Sequence, residues 1–468
     1  MLEEQEPDSP GTDSRMRDAE GSVREDFVAR VADAIRQDDA GELRQLAGDL
    51  HEADMGDLIE ALPSELRPRL IALLGTDFDF TALTQVDDTI REEILEELPT
   101  DTVAAGVREL DSDDAVYLLE DLPREEQSEI LQQLPAPERV ALERSLYYPD
   151  DSAGRRMQTE FIAVPPFWTV GQTIDYMRDT EDLPDRFFEI YVVDPAYRLL
   201  GTVALDRVLR TKRPVQISEL VDGEHRRVRA TDDQEQVARQ FERYDLIAAP
   251  VIDDADRLVG VITIDDIVDV IEQEADEDLK ALGGVQAAEE LSDSVLVTSR
   301  SRLPWLVINM GTAFLAAAVI SFFEGTIQAV VAVAVLMPVN SALGGNAGTQ
   351  AMTVAVRALA TRELNRSNSA RIITRECFVG LINGCVLAVL AGAISALAFQ
   401  NAILGVVLAA AMALTVVVAT TLGILIPLLL NRLRIDPAVA SAVFLTTAAD
   451  VFGFFTFLAL ATVAFGLV

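Results

Sequence analysis

The spacing of apolar residues divides the chain near residue 299 into two halves of different character. Before this point, apolar positions recur at helical spacing over residues 23–145 and in short strand-like runs over residues 146–270. After it the sequence is almost continuously apolar. Five stretches are longer than the ~20 residues that a helix needs to cross a bilayer. They are residues 303–323, 326–347, 374–399, 402–430 and 438–467. The pattern predicts a multidomain chain: an all-α N-terminal domain, an α/β domain and an α-helical transmembrane domain (300–468) with five spans.

Leu-Pro pairs mark the predicted helix starts in the first region. They occur at residues 62–63, 98–99, 122–123 and 134–135, at separations that are multiples of twelve. Proline suits the first turn of a helix, and the acidic residues that follow each pair suit its positive end. We therefore expect a stacked helical superhelix over residues 23–145. Residues 1–22 are expected to form a disordered acidic tail.

Two segments of the next region repeat at an offset of 59 residues. Residues 190–194 and 199–203 correspond to residues 250–253 and 258–262, and each copy is preceded by a helical pattern and leads into a helix. This strand–turn–strand–helix repeat resembles a tandem CBS pair, a regulatory module with a cleft between its copies. The alternative is an unrelated α/β repeat. We assign residues 146–270 to this pair.

An acidic helix is predicted directly after the repeat, with a linker at residues 271–299. On a helix Asp265, Asp269, Glu272 and Asp276 share one face, where like charges three or four residues apart repel one another. Bound divalent cations would relieve that repulsion. The alternative is an ordinary solvated charged face. The position between a regulatory module and the first span favours a metal-neutralised linker that controls a gate.

The charge distribution argues against nucleic acid as a partner and fits a cation. The net charge is −39, yet only 5 of the 77 acids and 9 of the 38 bases follow residue 299. Nucleic-acid phosphates require a basic surface, which the acidic half lacks. General adaptation to a salty cytoplasm explains the bulk charge equally well. The two cysteines lie eight residues apart within one span and the two histidines are isolated, so neither a metal-ligand spacing nor a histidine dyad is present.

The basic residues of the membrane half predict its orientation. They lie at three places: before the first span, between the second and third, and between the fourth and fifth. With five spans these places share one side, and cytoplasmic loops are the ones enriched in bases. We therefore expect a multi-pass protein of the inner cell membrane with cytoplasmic N-terminal domains and its C-terminus outside.

Asp450 is a lone carboxylate within the last span, where insertion of a charge costs roughly 3 kcal/mol or more. Such residues mark routes for ions or protons, although a structural aspartate bonded to a neighbouring helix is the alternative. The second span ends in the run PVNSALGGNAGTQ (338–350), whose proline and glycines we expect to break the helix and line a cavity, with Asn346 and Gln350 as oxygen ligands. Close helix packing through small residues is the alternative. A homodimer with two copies of Asp450 near its axis would match the charge of a divalent ion.

The order of these parts and four motifs resemble the MgtE magnesium transporters over nearly the whole chain. The motifs are PVNSALGGNAGTQ, VRALATREL, YYPDDSAGRRM and TTAADVFGF. The resemblance implies a homodimeric Mg²⁺-selective channel that closes when cytoplasmic Mg²⁺ is high. It implies a pore ion at Asp450, with Gly345, Asn346 and Thr446 near its path.

The resemblance also implies cytoplasmic Mg²⁺-sensing acids. The matching residues are Asp101, Glu235, Asp245, Asp266, Asp269, Glu274, Glu277 and Asp278. Ala105 stands where a further acid is expected, so ion bridging there is expected to be weaker. Some relatives bind ATP in the CBS pair, but Asp206-Arg207 reverses the expected order, and nucleotide binding is not carried over.

The function expected from the sequence is Mg²⁺ influx controlled by cytoplasmic Mg²⁺, which serves as both substrate and regulator and maintains Mg²⁺ homeostasis. The alternative is a membrane-embedded divalent-cation sensor that does not transport. An intramembrane aspartyl protease requires a carboxylate pair, whereas Asp450 alone lies deep in a span of one chain. We therefore expect no enzymatic activity.

Overall fold

The structure is a computed structural model that describes residues 16–18, 21–120, 122–180, 183–184, 186–221, 226–286, 289, 294–364 and 368–467. It divides into two compact units, residues 1–273 and 274–468. Most of the predicted tail, including residues 1–15, lies outside the described residues. Met16 is buried in the core of the first helical domain, and Arg17 donates to Asp54 and Asp57. Residues 16–18 therefore pack on that domain instead of belonging to a tail.

The N-terminal domain is helical, as predicted. Its α-helices are α1 (Glu25–Arg36), α2 (Ala40–Ala47), α3 (Glu52–Ala61), α4 (Arg67–Leu74), α5 (Asp88–Glu97), α6 (Thr100–Val107), α7 (Ser112–Leu119), α8 (Arg124–Gln133) and α9 (Ala136–Tyr147). Short 3₁₀ turns at Ser64–Leu66, Gly75–Asp77 and Phe80–Gln85 connect them. The prolines of the four Leu-Pro pairs occupy the N-cap positions of one 3₁₀ turn and of α6, α8 and α9. Each pair begins a helix, which confirms the prediction.

The CBS pair follows the predicted repeat closely. The first copy contains β1 (Ala163–Val164), α10 (Val170–Asp179), β2 (Glu189–Val193), β3 (Leu199–Ala204) and α11 (Leu205–Arg210). The second contains β4 (Val228–Arg229), α12 (Gln234–Tyr244), β5 (Ala248–Ile252), β6 (Leu258–Thr263) and α13 (Ile264–Leu282). In each three-stranded sheet the middle strand pairs in parallel with the first strand and antiparallel with the third. The register shifts once per sheet, at 192/193 and at 251/252, which preserves the offset of 59.

The membrane unit contains five helices that are long and apolar enough to cross a bilayer, judged by length and composition. They are α14 (Val295–Ser321), α16 (Val331–Ala360), α17 (Ser369–Ala398), α18 (Ala402–Arg432) and α19 (Pro437–Ala464), with the short α15 (Glu324–Ala329) after the first. Half of the most apolar window of α18 is buried, against 6% for α14. The fourth span is therefore central in a single chain, whereas the first is almost fully exposed.

The run at residues 338–350 does not break its helix, so that prediction was wrong. Helix α16 is continuous from Val331 to Ala360 with Pro338 inside it. An added Cβ at Gly344 would lie 2.5 Å from Thr415 Cγ2, and one at Gly348 would lie 3.1 Å from the Ala419 carbonyl oxygen. The glycines therefore allow α16 to approach α18 closely, which is the packing alternative. In a bilayer an intact helix also satisfies the backbone polar groups that a break would expose.

Candidate ion sites

The first candidate site is the carboxylate of Asp450 on α19. The Asp450 side chain is partly exposed on the surface of the single-chain bundle. Its Oδ1 accepts a hydrogen bond from the Ser341 hydroxyl of α16. No described residue hydrogen-bonds the second oxygen, Oδ2. The site therefore presents one engaged and one available carboxylate oxygen at the level of the membrane helices.

A buried amide lies beside this carboxylate. The Asn340 side chain is fully buried, and its Nδ2 donates to Thr415 Oγ1 of α18 at 3.2 Å and to the Gly453 carbonyl oxygen of α19 at 3.0 Å. Its Oδ1 is buried without a hydrogen-bond partner among the described residues. The amide thus joins three helices next to Ser341. Neither Asn340 nor Ser341 was predicted as a site residue, although both belong to the run 338–350 that also contains Asn346.

The structure separates the residues predicted near the ion path. Thr446 lies one turn before Asp450 on α19 and is exposed, and Gly345 lies one turn after Ser341 on α16 with open space at its Cβ position. Asn346 is exposed and follows Ser341 by five residues, which places it roughly 140° further around the helix. Gly345 and Thr446 are therefore near neighbours of the Ser341–Asp450 pair along their helices, whereas Asn346 points elsewhere.

The second candidate site is a carboxylate cluster in the first unit. Asp113 and Asp114 lie in the first turn of α7, and Asp265 and Asp266 lie in the first turn of α13. Burial, then the charges of Asp266 and Asp114, raises the pKa of Asp113 well above its usual value. We call these four residues and Asp269 the acidic junction, since they lie where the helical domain meets the CBS pair.

The pKa values of three further carboxyls of the acidic junction, Asp114, Asp266 and Asp269, are also raised. Burial, followed by the charges of Asp111, Asp265, Asp269 and Asp79, raises the pKa of Asp114 to about 7. Burial raises the pKa of Asp266 to about 7 as well, against a lowering hydrogen bond from Thr263. The pKa of Asp269 is raised by burial and by Glu272. The carboxyls repel one another when ionised, and a cation or protons would relieve this.

Hydrogen bonds and one ion pair hold the helical domain on the CBS pair beside the acidic junction. Glu160, which precedes β1, accepts hydrogen bonds from the backbone N–H and the hydroxyl of Ser112 at 3.2 and 2.7 Å. Arg156 pairs with Glu120 at 3.1 Å, and Arg144 donates to the Val259 carbonyl oxygen at 3.0 Å. In the parts of the chain that the structure describes, no three acidic, histidine or cysteine side chains are arranged closely enough to form a ready metal site. The junction is thus a repulsive surface held by neighbouring contacts.

The predicted sensing acids are distributed over several elements. Asp101 is exposed in the first turn of α6, where its carboxylate accepts a hydrogen bond from the Thr102 N–H. It is not among the charges that most raise the pKa values of Asp113 and Asp114. On α12, Glu235 pairs with Arg239, and Asp245 is the left-handed C-cap residue. Asp266 and Asp269 belong to the acidic junction. Glu274, Glu277 and Asp278 follow on α13, within the second unit.

Asp113 and Asp114 were not predicted from the sequence, because the carboxyls that they face lie about 150 residues further along the chain.

Comparison with known proteins places all of these parts in one family. Family models match at residues 50–151 (MgtE intracellular N domain), 220–273 (CBS domain) and 337–460 (MgtE, divalent cation transporter). The magnesium transporter MgtE of Bacillus subtilis is 30% identical over 94% of this chain and 97% of the relative. The corresponding protein of Enterococcus faecalis is 34% identical over 92% of this chain and 95% of the relative.

A solved structure is similar to about half of this chain. It is described as the cytosolic domain of the Mg²⁺ channel MgtE in complex with ATP, is 28% identical, covers 52% of this chain and 99% of that chain, and has a TM-score of 0.47. The matched family consists of transporters and not of enzymes. On the strength of the full-length relatives, the chain belongs to the MgtE family of divalent cation transporters.

Proposed function

We propose that this chain carries Mg²⁺ into the cell along a path that passes Asp450. The observation that carries the proposal is an acidic side chain on a membrane helix that is partly exposed and has an unbonded oxygen. A carboxylate facing lipid there would cost roughly 3 kcal/mol or more, so it needs a polar path or a partner. The names of the full-length relatives support Mg²⁺ as the transported ion.

We further propose that two copies of the chain form the path. In a homodimer, two Asp450 carboxylates would supply the two negative charges that balance one divalent ion. Mg²⁺ holds most of its waters, so a path for it needs few direct ligands and a strong local negative charge. The exposed first span, α14, leaves ample surface for a second copy or for lipid.

The proposed orientation places the helical domain, the CBS pair and the linker in the cytoplasm and the C-terminus outside. The bases at the facing ends of α16 and α17 and in the loop that joins them support it, as do Arg432 and Arg434 where α18 ends, since cytoplasmic loops carry the excess of Arg and Lys. In this division residues 23–145 and 146–270 sense the ion, residues 271–299 link, and residues 300–468 form the path.

Cytoplasmic Mg²⁺ closes the path in this proposal by neutralising the acidic junction, with Glu235, Asp245, Glu274, Glu277 and Asp278 as further sensing acids. When Mg²⁺ is scarce, repulsion among the ionised carboxyls opposes the contacts that hold the helical domain on the CBS pair. When Mg²⁺ is abundant, bound ions favour the docked arrangement, which is a shift between pre-existing populations. Helix α13 begins in the acidic junction, and Ala281 near its end packs in a core with Met352 and Leu445. Along the chain, α13 therefore connects the proposed sensing domains to the membrane unit.

The test is Mg²⁺ flux into liposomes that contain the full-length protein, measured at low and high Mg²⁺ on the cytoplasmic side. We expect wild type to conduct at low Mg²⁺ and to close at high Mg²⁺, and Asp450→Ala to conduct in neither condition. Thr326→Ala, a buried change on the same unit distant in sequence from both candidate sites, is the control for folding. Well-folded wild-type protein that never conducts would instead support the sensor without transport.

A further inference from the structure

The Asp450 carboxylate is chemically asymmetric within one chain. Ser341, which is 7% exposed, donates its hydroxyl hydrogen to Oδ1, while no described residue hydrogen-bonds Oδ2. An ion that meets this carboxylate finds one oxygen with a lone pair already engaged and one oxygen available. The hydroxyl thus reduces the ability of the carboxylate to clasp an ion with both oxygens at once.

The position of the Ser341 hydroxyl is fixed by its neighbours. Asn340, adjacent on the same helix, is fully buried and ties α16 to Thr415 of α18 and to the Gly453 carbonyl oxygen of α19. Gly344, one turn onward, packs so closely that an added Cβ would lie 2.5 Å from Thr415 Cγ2. Helix α16 therefore cannot shift away from Asp450 without breaking buried hydrogen bonds, and the Ser341–Asp450 contact is held in place.

We propose that Ser341 is a specificity-determining residue that makes Asp450 a one-oxygen ligand. Ca²⁺ takes six to eight oxygens in flexible geometry and often uses both oxygens of a carboxylate. Mg²⁺ demands near-octahedral geometry, keeps several waters and binds through single carboxylate oxygens or through water. A carboxylate with one oxygen engaged by a hydroxyl therefore disfavours the larger ion. This inference rests on the proposed role of Asp450 in the ion path and assigns to Ser341 the choice between ions.

A purely structural role for Ser341 predicts a different outcome. If the hydroxyl only stabilises the helix pair, its removal lowers thermal stability and reduces the fluxes of both ions in the same proportion. If it sets specificity, the ratio of Ca²⁺ to Mg²⁺ flux changes. A ratio measured on one protein preparation is insensitive to the amount of folded protein, so it separates the two roles.

The experiment compares Ca²⁺ and Mg²⁺ flux into liposomes for wild type, Ser341→Ala, Ser341→Thr and Ser341→Cys, with indicator dye inside. The Ca²⁺/Mg²⁺ flux ratio of Ser341→Ala is expected to rise about tenfold, in line with the loss of one hydrogen bond to a charged group. Ser341→Thr keeps a hydroxyl and is expected to keep the wild-type ratio. Ser341→Cys replaces the hydroxyl by a weak donor of similar size and is expected to raise the ratio by a smaller factor.

Two results would overturn the inference. One is a Ser341→Ala protein whose ratio equals that of wild type; the other, should that variant not fold, is a folded Ser341→Cys protein with the wild-type ratio. Asp450→Asn in the same assay tests the underlying proposal separately. If Asp450→Asn conducts Mg²⁺ as wild type does, the proposed path itself is wrong. If it does not conduct while the Ser341 variants keep the wild-type ratio, only the assignment of Ser341 fails.

Discussion

Glu160 and Ser112 form a two-point contact between the CBS pair and the helical domain. The Ser112 N–H and hydroxyl both donate to Glu160 Oε2, at 3.2 and 2.7 Å, and the same hydroxyl accepts from the Thr159 N–H at 2.7 Å. Ser112 begins α7, the helix that carries Asp113 and Asp114 in its first turn. The contact therefore joins the helical domain to the CBS pair beside carboxyls that repel one another.

Removal of the Ser112 hydroxyl should make closure harder without changing the charge of the junction. We expect Ser112→Ala to raise the cytoplasmic Mg²⁺ concentration for half-closure by about tenfold, because a hydrogen bond to a charged group contributes ~1.5 kcal/mol or more. The measurement is flux against cytoplasmic Mg²⁺. Ser128→Ala, on the exposed face of α8, is the matched control and should behave as wild type. Identical curves for both variants would show that this contact does not contribute to closure.

Asp113 of the acidic junction and Asp101 are alternative sensing acids in the helical domain. We expect Asp113→Asn to remove part of the repulsion together with one candidate ligand, so that flux at low Mg²⁺ falls and its dependence on Mg²⁺ flattens. Asp101→Asn should leave the dependence unchanged, because this exposed residue is not among the charges that most perturb Asp113 and Asp114. Both variants replace one carboxyl by an amide of similar size, which makes them a matched pair. The reverse pattern would favour Asp101, the residue that the sequence indicated.

Asp101 could be identified from the sequence as a candidate sensing acid, whereas Asp113 could not. The Leu-Pro pairs predicted helix starts because proline restricts the backbone locally, and the CBS strands were predicted because the same pattern occurs twice. Asp113 and Asp266 carry no such local signal: their significance arises from a contact between residues far apart in the chain. The family motif supplied Asp266, but its partner on the helical domain required the folded structure.

Helix α16 is a case in which a strong local sequence signal gave a wrong prediction. Pro338 and the glycines of the following run indicated a broken helix, yet Gly344 and Gly348 serve close approach to α18 and α19. Local propensity is a weak constraint when tertiary packing favours an intact helix. Asp450 could be predicted because a lone carboxylate is rare among the apolar residues of a span. Ser341 could not, because serine is common in membrane helices.

Protons should act on the acidic junction in the same direction as Mg²⁺. In this structure the pKa of Asp114 and of Asp266 is raised to about 7, mainly through burial, from an ordinary value near 4. In the proposed undocked state both carboxyls are exposed to water, and their pKa values return towards 4. The docked state therefore binds more protons than the undocked state. Its stabilisation by protons is complete below the ordinary pKa and is lost as the pH rises through about 7.

At low cytoplasmic Mg²⁺ we therefore expect flux to be smaller at pH 6 than at pH 8. The combined variant Asp114→Asn with Asp266→Asn should show a much weaker pH dependence, because these amides do not titrate. Flux measured across this pH range in liposomes with the cytoplasmic side controlled provides the test. An equal pH dependence in wild type and in the combined variant would locate the titrating group outside the acidic junction.

The two adjacent glycines of α16 should respond differently to the same substitution. Gly344→Ala places a Cβ about 2.5 Å from Thr415 Cγ2, whereas a Cβ at Gly345 meets no atom within 4 Å. Overpacking of this kind destabilises by roughly 1–3 kcal/mol. We therefore expect Gly344→Ala to lower the melting temperature of the detergent-solubilised protein, and Gly345→Ala to leave it unchanged.

A second-site change separates this clash from other effects of a lost glycine. Thr415→Ser removes the Cγ2 methyl and keeps the hydroxyl that accepts from Asn340, so it should restore much of the stability of Gly344→Ala. Helix propensity acts against the expected loss, since alanine is more favourable than glycine in a helix by ~1 kcal/mol. A Gly344→Ala protein as stable as wild type would mean that α16 and α18 separate easily. Such freedom would also weaken the argument that Asn340 and Gly344 hold Ser341 against Asp450.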